Sequence, residues 1–276
     1  MVADFTGRTA LITGAGRGIG RAVALGLGRD GAGLVLLARS AGQLQETRAL
    51  LLGQGVPARR IQIAPADLAD EGERDRAVAA ALAAGRVDIL VNNAATVEPL
   101  GPTPDVTEAG LRLAFEVNLV APAALAAAVL PGMLAARWGR IVNVSSAIVA
   151  NPAAMIGGNA YATTKAALEA HTVNLGAELR GTGVTVNAYR PGAVDTAMQA
   201  WIRAQDPGRI GAALHERFNR SFADGALITP EQSAAVLLAH LAGEDSGAIW
   251  DVGAAPASTQ MATSPCLPTR SSYSRN

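Results

Sequence analysis

A chain of 276 residues, half of them hydrophobic and 17% charged, buries a sizeable core without a metal or disulfide to hold it, and one domain is the expected count. Its 23 basic and 23 acidic residues cancel, with no long run of either sign, which excludes the electrostatic footprint of a nucleic-acid or anionic-membrane binder and favours a small, roughly neutral partner. The one cysteine, Cys266, cannot form an internal disulfide, and a first strand starting near residue 8 leaves no room ahead of it for a signal peptide, so the cytoplasm is the expected compartment.

The first organised stretch runs from Arg8 to Arg29. An apolar, β-branched run (Thr9 to Thr13) crosses a turn holding Gly14, Gly16, Gly18 and Gly20, then passes Ile19 into Ala22, Val23, Leu25 and Leu27 at helical spacing. Strand, glycine turn and helix in that order suit a nucleotide, because glycine lets a ligand approach the backbone and the helix N-terminus favours phosphate. Leu34 to Ala38 is a continuous apolar run, as expected of a parallel strand covered on both faces. In dinucleotide-binding folds an acidic residue near the end of this second strand takes the ribose hydroxyls, whereas arginine accommodates a 2′-phosphate. Here the strand ends in Arg39 and Ser40, with Arg17 in the glycine turn, so NADP(H) is expected over NAD(H).

Gln43 to Leu52 reads as a helix and Ile61 to Ala64 as the third strand, followed by Asp67 and Leu68. Asp67 either accepts from an adenine amino group or caps the next helix, Asp70 to Ala84, which Gly85 ends. Val87 to Val91 is a fourth strand, and the small residues after it (Asn92, Asn93, Ala94, Ala95) suit a wall against a flat ring. A long helical region, Glu108 to Arg137, contains Asn118, whose side chain needs partners or bonds locally at a kink before Pro122. Its uncharged stretch, Leu119 to Ala136, is interrupted by Pro122 and Pro131 and reads as a buried helix rather than a membrane span. Arg140 to Val144 makes the fifth strand and runs into Ser145 and Ser146.

Within Ala160 to Arg180, Tyr161 and Lys165 stand one helical turn apart and project from one face. An ammonium within about 4 to 6 Å stabilises phenolate, so the pair is expected to lower the tyrosine's pKa and to serve as an acid–base catalyst near neutral pH. Strand six spans Thr185 to Tyr189, a helix starts at Pro230 behind Thr229, and Ile249 to Val252 makes the seventh strand. Ile210, Leu214, Phe218 and Phe222 recur every four residues as the apolar stripe of one helix, with Trp201 and Ile202 adding bulk, which suits either a lid over an apolar pocket or a stripe that covers core or meets another subunit. The three histidines are scattered without partners at ligand spacing, so no metal and no nucleophilic triad is expected.

Thr13-Gly14-Ala15-Gly16-Arg17-Gly18-Ile19-Gly20, Asn92-Asn93-Ala94, Asn118, Ser146, Tyr161-x-x-x-Lys165 and Pro191-Gly192 together give a sequence that resembles the classical short-chain dehydrogenase/reductase family from about residue 5 to about residue 253. The resemblance implies an α/β, single-domain Rossmann-type doubly wound, mostly parallel seven-stranded sheet with helices on both faces. That domain would span residues 1–253 with a substrate loop at 196–229; residues 254–276, rich in Ser, Thr and Pro and without periodicity, are expected to form a loose tail. By the same resemblance Tyr161 gives or takes the hydroxyl proton, Ser146 hydrogen-bonds the substrate oxygen, Lys165 binds the nicotinamide ribose and lowers the tyrosine's pKa, and Asn118 holds a water. Pro191, Gly192, Val194 and Thr196 would line the nicotinamide amide. With them, Gly14, Gly16, Arg17, Gly18, Ile19, Gly20, Arg39, Ser40, Asp67, Leu68, Asn93, Ala94, Tyr161 and Lys165 complete the expected cofactor-binding set. Two departures stand out: the usual Asn-Asn-Ala-Gly reads Asn92-Asn93-Ala94-Ala95, and the gap from Ser146 to Tyr161 is slightly long, leaving Ser145 as its rival.

The expected activity is NADP(H)-dependent transfer of hydride between nicotinamide and an apolar carbonyl or secondary alcohol. An NADP(H)-binding sensor on the same fold and a cofactor-using epimerase are the alternatives; the complete Asn118, Ser146, Tyr161 and Lys165 set favours the oxidoreductase. The alanine-rich helices, Ala121 to Ala128 and Ala162 to Leu179, permit close packing between subunits, and family habit suggests a homo-oligomer, tetramer or dimer.

Overall fold

The computed structural model describes residues 4–253; the segment expected to be a loose tail, with Cys266, lies outside the described residues. Seven strands, β1 (Thr9–Thr13), β2 (Gly33–Ala38), β3 (Ile61–Pro65), β4 (Ile89–Asn92), β5 (Gly139–Val144), β6 (Val184–Arg190) and β7 (Ile249–Asp251), form one sheet in the order β3-β2-β1-β4-β5-β6-β7. Every neighbouring pair is parallel, a stricter arrangement than the mostly parallel sheet expected. The order reverses between β1 and β4, and ligands of such sheets bind in the crevice at the carboxyl ends of the strands there.

Among the described residues ten α-helices accompany the strands: α1 (Gly18–Arg29), α2 (Ala41–Gly53), α3 (Glu71–Ala84), α4 (Glu108–Phe115), α5 (Ala121–Ala135), α6 (Asn159–Glu178), α7 (Ala197–Arg203), α8 (Pro207–Ile210), α9 (Ala212–Ala223) and α10 (Pro230–Leu241). The continuous apolar strands are explained by their two faces. Ala10, Ile12, Leu34, Leu36, Ile89 and Val91 pack with α1, α2 and α10 on one side, and Leu11, Val35, Leu37 and Leu90 pack with α3, α5 and α6 on the other. Caps start the helices where polar side chains can reach back. Ser40 accepts from the Gln43 amide, Asp70 from that of Glu73, and Thr229 forms a reciprocal capping box with Gln232.

The long helical region expected from Glu108 is present as one continuous helical run, within which a π-helical stretch, Glu116–Val120, lies between α4 and α5 and holds Asn118. One expectation is corrected. The stripe of Ile210, Leu214, Phe218 and Phe222 does not lie on one helix, because Gly211 at φ +92 ends α8 and Ile210 falls before the break. Ile210 and Leu214 are buried, whereas Phe222 is exposed with the Arg203 guanidinium stacked on its ring at 4.1 Å. The uncharged stretch reads correctly as a core helix on one side: Ala121, Leu125, Ala126, Val129 and Met133 of α5 pack against the sheet.

Candidate active site

The crevice at the β1/β4 switch point is built on one hydroxyl. Thr13 Oγ1 accepts from the amides of Asn93 (2.9 Å) and Ala94 (3.0 Å), and the Asn93 side chain donates to the Thr13 carbonyl oxygen (2.9 Å), locking the glycine turn to the end of β4. Gly14 has φ +65, and a Cβ there would meet Asn93 Nδ2 at 2.7 Å, so glycine is required. Behind the turn, Thr47 donates to the Ala15 carbonyl oxygen at 3.0 Å. Arg17 stands at the N-cap of α1 yet is exposed and caps nothing, which leaves the first amides of the helix without a side-chain partner. A phosphate fits that arrangement. Gly18, at φ +55, faces Thr196, whose Cγ2 would lie 3.4 Å from an added Cβ.

Further along the crevice, the Arg39 side chain is 77% exposed and pairs with Asp67 at 4.0 Å. Asp67 accepts from the Ala69 amide, and Asp70 rather than Asp67 caps α3, so the capping alternative for Asp67 falls away. Ser40 Oγ is engaged at the N-terminus of α2, and Leu68 is buried among Ala64, Ala66 and Val78, where its side chain serves packing. Ile19 packs against the core beside α10. On the far wall, the Pro191 carbonyl oxygen accepts from Ser233, Gly192 takes φ +77 against Val252, Val194 bridges to Ile228, and Thr196 caps α7.

Helix α6 carries the chemistry. Lys165 is 2% exposed, and its Nζ donates to the Val144 carbonyl oxygen at 2.7 Å and lies 5.9 Å from the Tyr161 ring centroid. Burial lowers its pKa from 10.5 to about 8, partly opposed by the charge of Glu169. The half-buried Tyr161 runs against expectation. Burial raises its pKa above the ordinary 10.0, and only a hydrogen bond with Ser146 pulls it down. Desolvation is the larger of the two effects.

Of the two serines, Ser145 is buried with its hydroxyl given to Glu169 at 2.6 Å, while Ser146 stands beside the phenol. Asn118 does not bond locally. Its Oδ1 accepts from the Thr96 amide (2.9 Å), and its Nδ2 donates to the Thr96 carbonyl oxygen (2.8 Å) and to Thr164 Oγ1 (3.0 Å), tying the loop after β4 to α6. Around Tyr161 lies a third apolar cluster of Val97, Ile148, Met155, Ala162 and Ile202, with Val149, Met198 and Trp201 packed on it. Sequence reasoning missed Thr13 as the hinge of the crevice, Thr164 as the partner of Asn118, and Glu169. Glu169 carried a readable signal: it continues the four-residue spacing of Tyr161 and Lys165.

A family model described as short chain dehydrogenase matches residues 8–207. The Oxidoreductase UcpA of Escherichia coli (strain K12) is 39% identical over 204 residues, covering 72% of this chain and 74% of its own. L-sorbose reductase from Gluconobacter frateurii, solved with NADPH and L-sorbose, superposes with a TM-score of 0.80 at 27% identity, covering 91% of this chain and 97% of that one. A 3-oxoacyl (acyl-carrier-protein) reductase from Agrobacterium tumefaciens C58, solved with NADP bound, gives a TM-score of 0.78 at 30% identity over 91% and 94% of the two chains.

Proposed function

The chain belongs to the short chain dehydrogenase family and is an oxidoreductase of that fold, and from this we propose that it interconverts a carbonyl compound and its secondary alcohol with NADP(H), using Tyr161 as acid and base. The observation that carries the reading is the grouping of Ser146, Tyr161 and Lys165 at the carboxyl end of β5, next to the crevice that the glycine turn opens. When bound, the nicotinamide would supply or take the hydride. Gly14, Gly16, Gly18, Gly20 and the first amides of α1 would hold the pyrophosphate. Arg17 and Arg39, both exposed cations at the rim of the crevice, would receive the 2′-phosphate with Ser40 and Asp67 nearby. Asn93, Ala94, Pro191, Gly192, Val194 and Thr196 would wall the ring.

Ser146 donates to the substrate oxygen where charge develops, and the Tyr161 hydroxyl delivers its proton to that atom in reduction. Lys165 keeps positive charge next to the phenol as the proton leaves, and Asn118 holds the loop after β4 in register. The apolar cluster at Tyr161 supports an apolar carbonyl substrate. Exposed Leu113, Val120 and Val173 on α4 to α6 support a homo-oligomer, tetramer or dimer.

Loss of NADPH absorbance against a panel of apolar ketones tests the reading. Turnover in the parent that is lost in Tyr161→Phe is the expected result; tight NADPH binding with no ketone consumed overturns it.

A further inference from the structure

A buried ion network centred on Glu169 lies beneath the reacting face, and its carboxylate takes no part in the steps above. Tyr161, Lys165 and Glu169 are spaced by four, so α6 carries all three on one stripe. Glu169 is 5% exposed. Its Oε1 accepts from the Ser145 hydroxyl at 2.6 Å and from Arg190 Nε at 2.8 Å, and its Oε2 accepts from a terminal nitrogen of Arg190 at 2.7 Å. Arg190 reaches on to Asp251 at 3.6 Å. The groups facing this carboxylate come from each element packed against it: Lys165 on its own helix, Ser145 just past β5, Arg190 on β6, and Asp251 of β7 behind Arg190.

A carboxylate this buried is costly, and an apolar side chain would fill the space at no such cost. Two of its partners adjoin residues with proposed roles: Ser145 precedes Ser146, and Arg190 precedes Pro191. We propose that Glu169 is a positioning residue for the reaction: its carboxylate, one helical turn from Lys165, favours the charged amine by its own charge and, through Ser145 and Arg190, sets the strand ends that carry Ser146 and Pro191. The inference rests on the reading of the site given above. Burial disfavours the charged form of Lys165, and the negative charge one turn away opposes that loss.

The chain offers a direct test, because Lys165 is its one lysine among 23 basic residues. Protein grown on isotope-labelled lysine shows a single side-chain signal in nuclear magnetic resonance, and its titration reads this amine alone, with no substrate required. Glu169→Gln is expected to lower the midpoint by about one pH unit. Glu169→Asp, which keeps the charge, is expected to leave it near the parent's, whereas a loss of fold alone has no reason to follow charge in this way. With a ketone the parent reduces, Glu169→Gln is expected to lower kcat about tenfold with KM little changed. A Glu169→Gln midpoint equal to the parent's overturns the proposal. If that variant does not fold, a Glu169→Asp midpoint about one unit below the parent's does so instead. A parent that reduces no carbonyl compound counts against the oxidoreductase reading, and the titration still decides the electrostatic role of Glu169.

Discussion

The Lys165 ammonium donates to the Val144 carbonyl oxygen at 2.7 Å, pinning the first half of α6 to the last residue of β5. That bond holds a cation where it is 2% exposed, and its cost is readable as a pH dependence of folding.

Lys165 has a folded-state pKa of about 8, below its ordinary 10.5. Below about pH 8 both states are protonated and the burial cost is present in full. Between there and 10.5 the unfolded chain binds more protons, so the contribution of this residue to stability grows as pH rises. Tyr161 and Tyr189, both raised above 10.0, act in the opposite sense at higher pH still. Thermal melts from pH 7 to 10 should show the upward component in the parent and its loss in Lys165→Met. Identical pH profiles for the two proteins would refute the assignment.

Tyr161→Phe removes the proton donor and leaves the ring packed against its apolar neighbours. Turnover should fall by about 10² to 10⁴, while NADPH affinity, read by fluorescence, and melting temperature stay close to the parent's. Retained turnover would show that another group moves the proton.

Among the described residues Arg39 is anchored by a 4.0 Å pairing with Asp67 alone, so its replacement should cost little stability. Arg39→Asp is expected to raise KM for NADPH far more than for NADH. Equal changes for the two coenzymes would remove the support for NADP(H).

Thr13→Val keeps the shape and deletes the oxygen that receives two amides at the crevice. Leaving those donors unpaired should cost about 1–3 kcal/mol in urea unfolding, and coenzyme affinity should fall as the turn loosens from β4. An unchanged unfolding midpoint would mean that water replaces the hydroxyl.

The strands, the alternation of strand and helix, the glycine turn and most helix starts are legible in the chain before it folds. These depend on local features: apolar runs suited to two covered faces, positive φ at Gly14 and Gly18, and side chains such as Thr229 that cap their own backbone. The sequence also placed Tyr161 and Lys165 on one face of a helix. Tertiary structure alone decided what that face does. Desolvation of Tyr161 reverses the direction expected of its pKa; Asn118 finds its partners 22 and 46 residues away rather than in its own turn; Thr13 binds amides 80 and 81 residues on. The stripe ending in Phe222 splits at Gly211, and Glu169 gains meaning only when β5 and β6 bring Ser145 and Arg190 to it. Spacing along a chain specifies which side chains share a face, whereas the charge a side chain carries there depends on how much water the rest of the fold excludes.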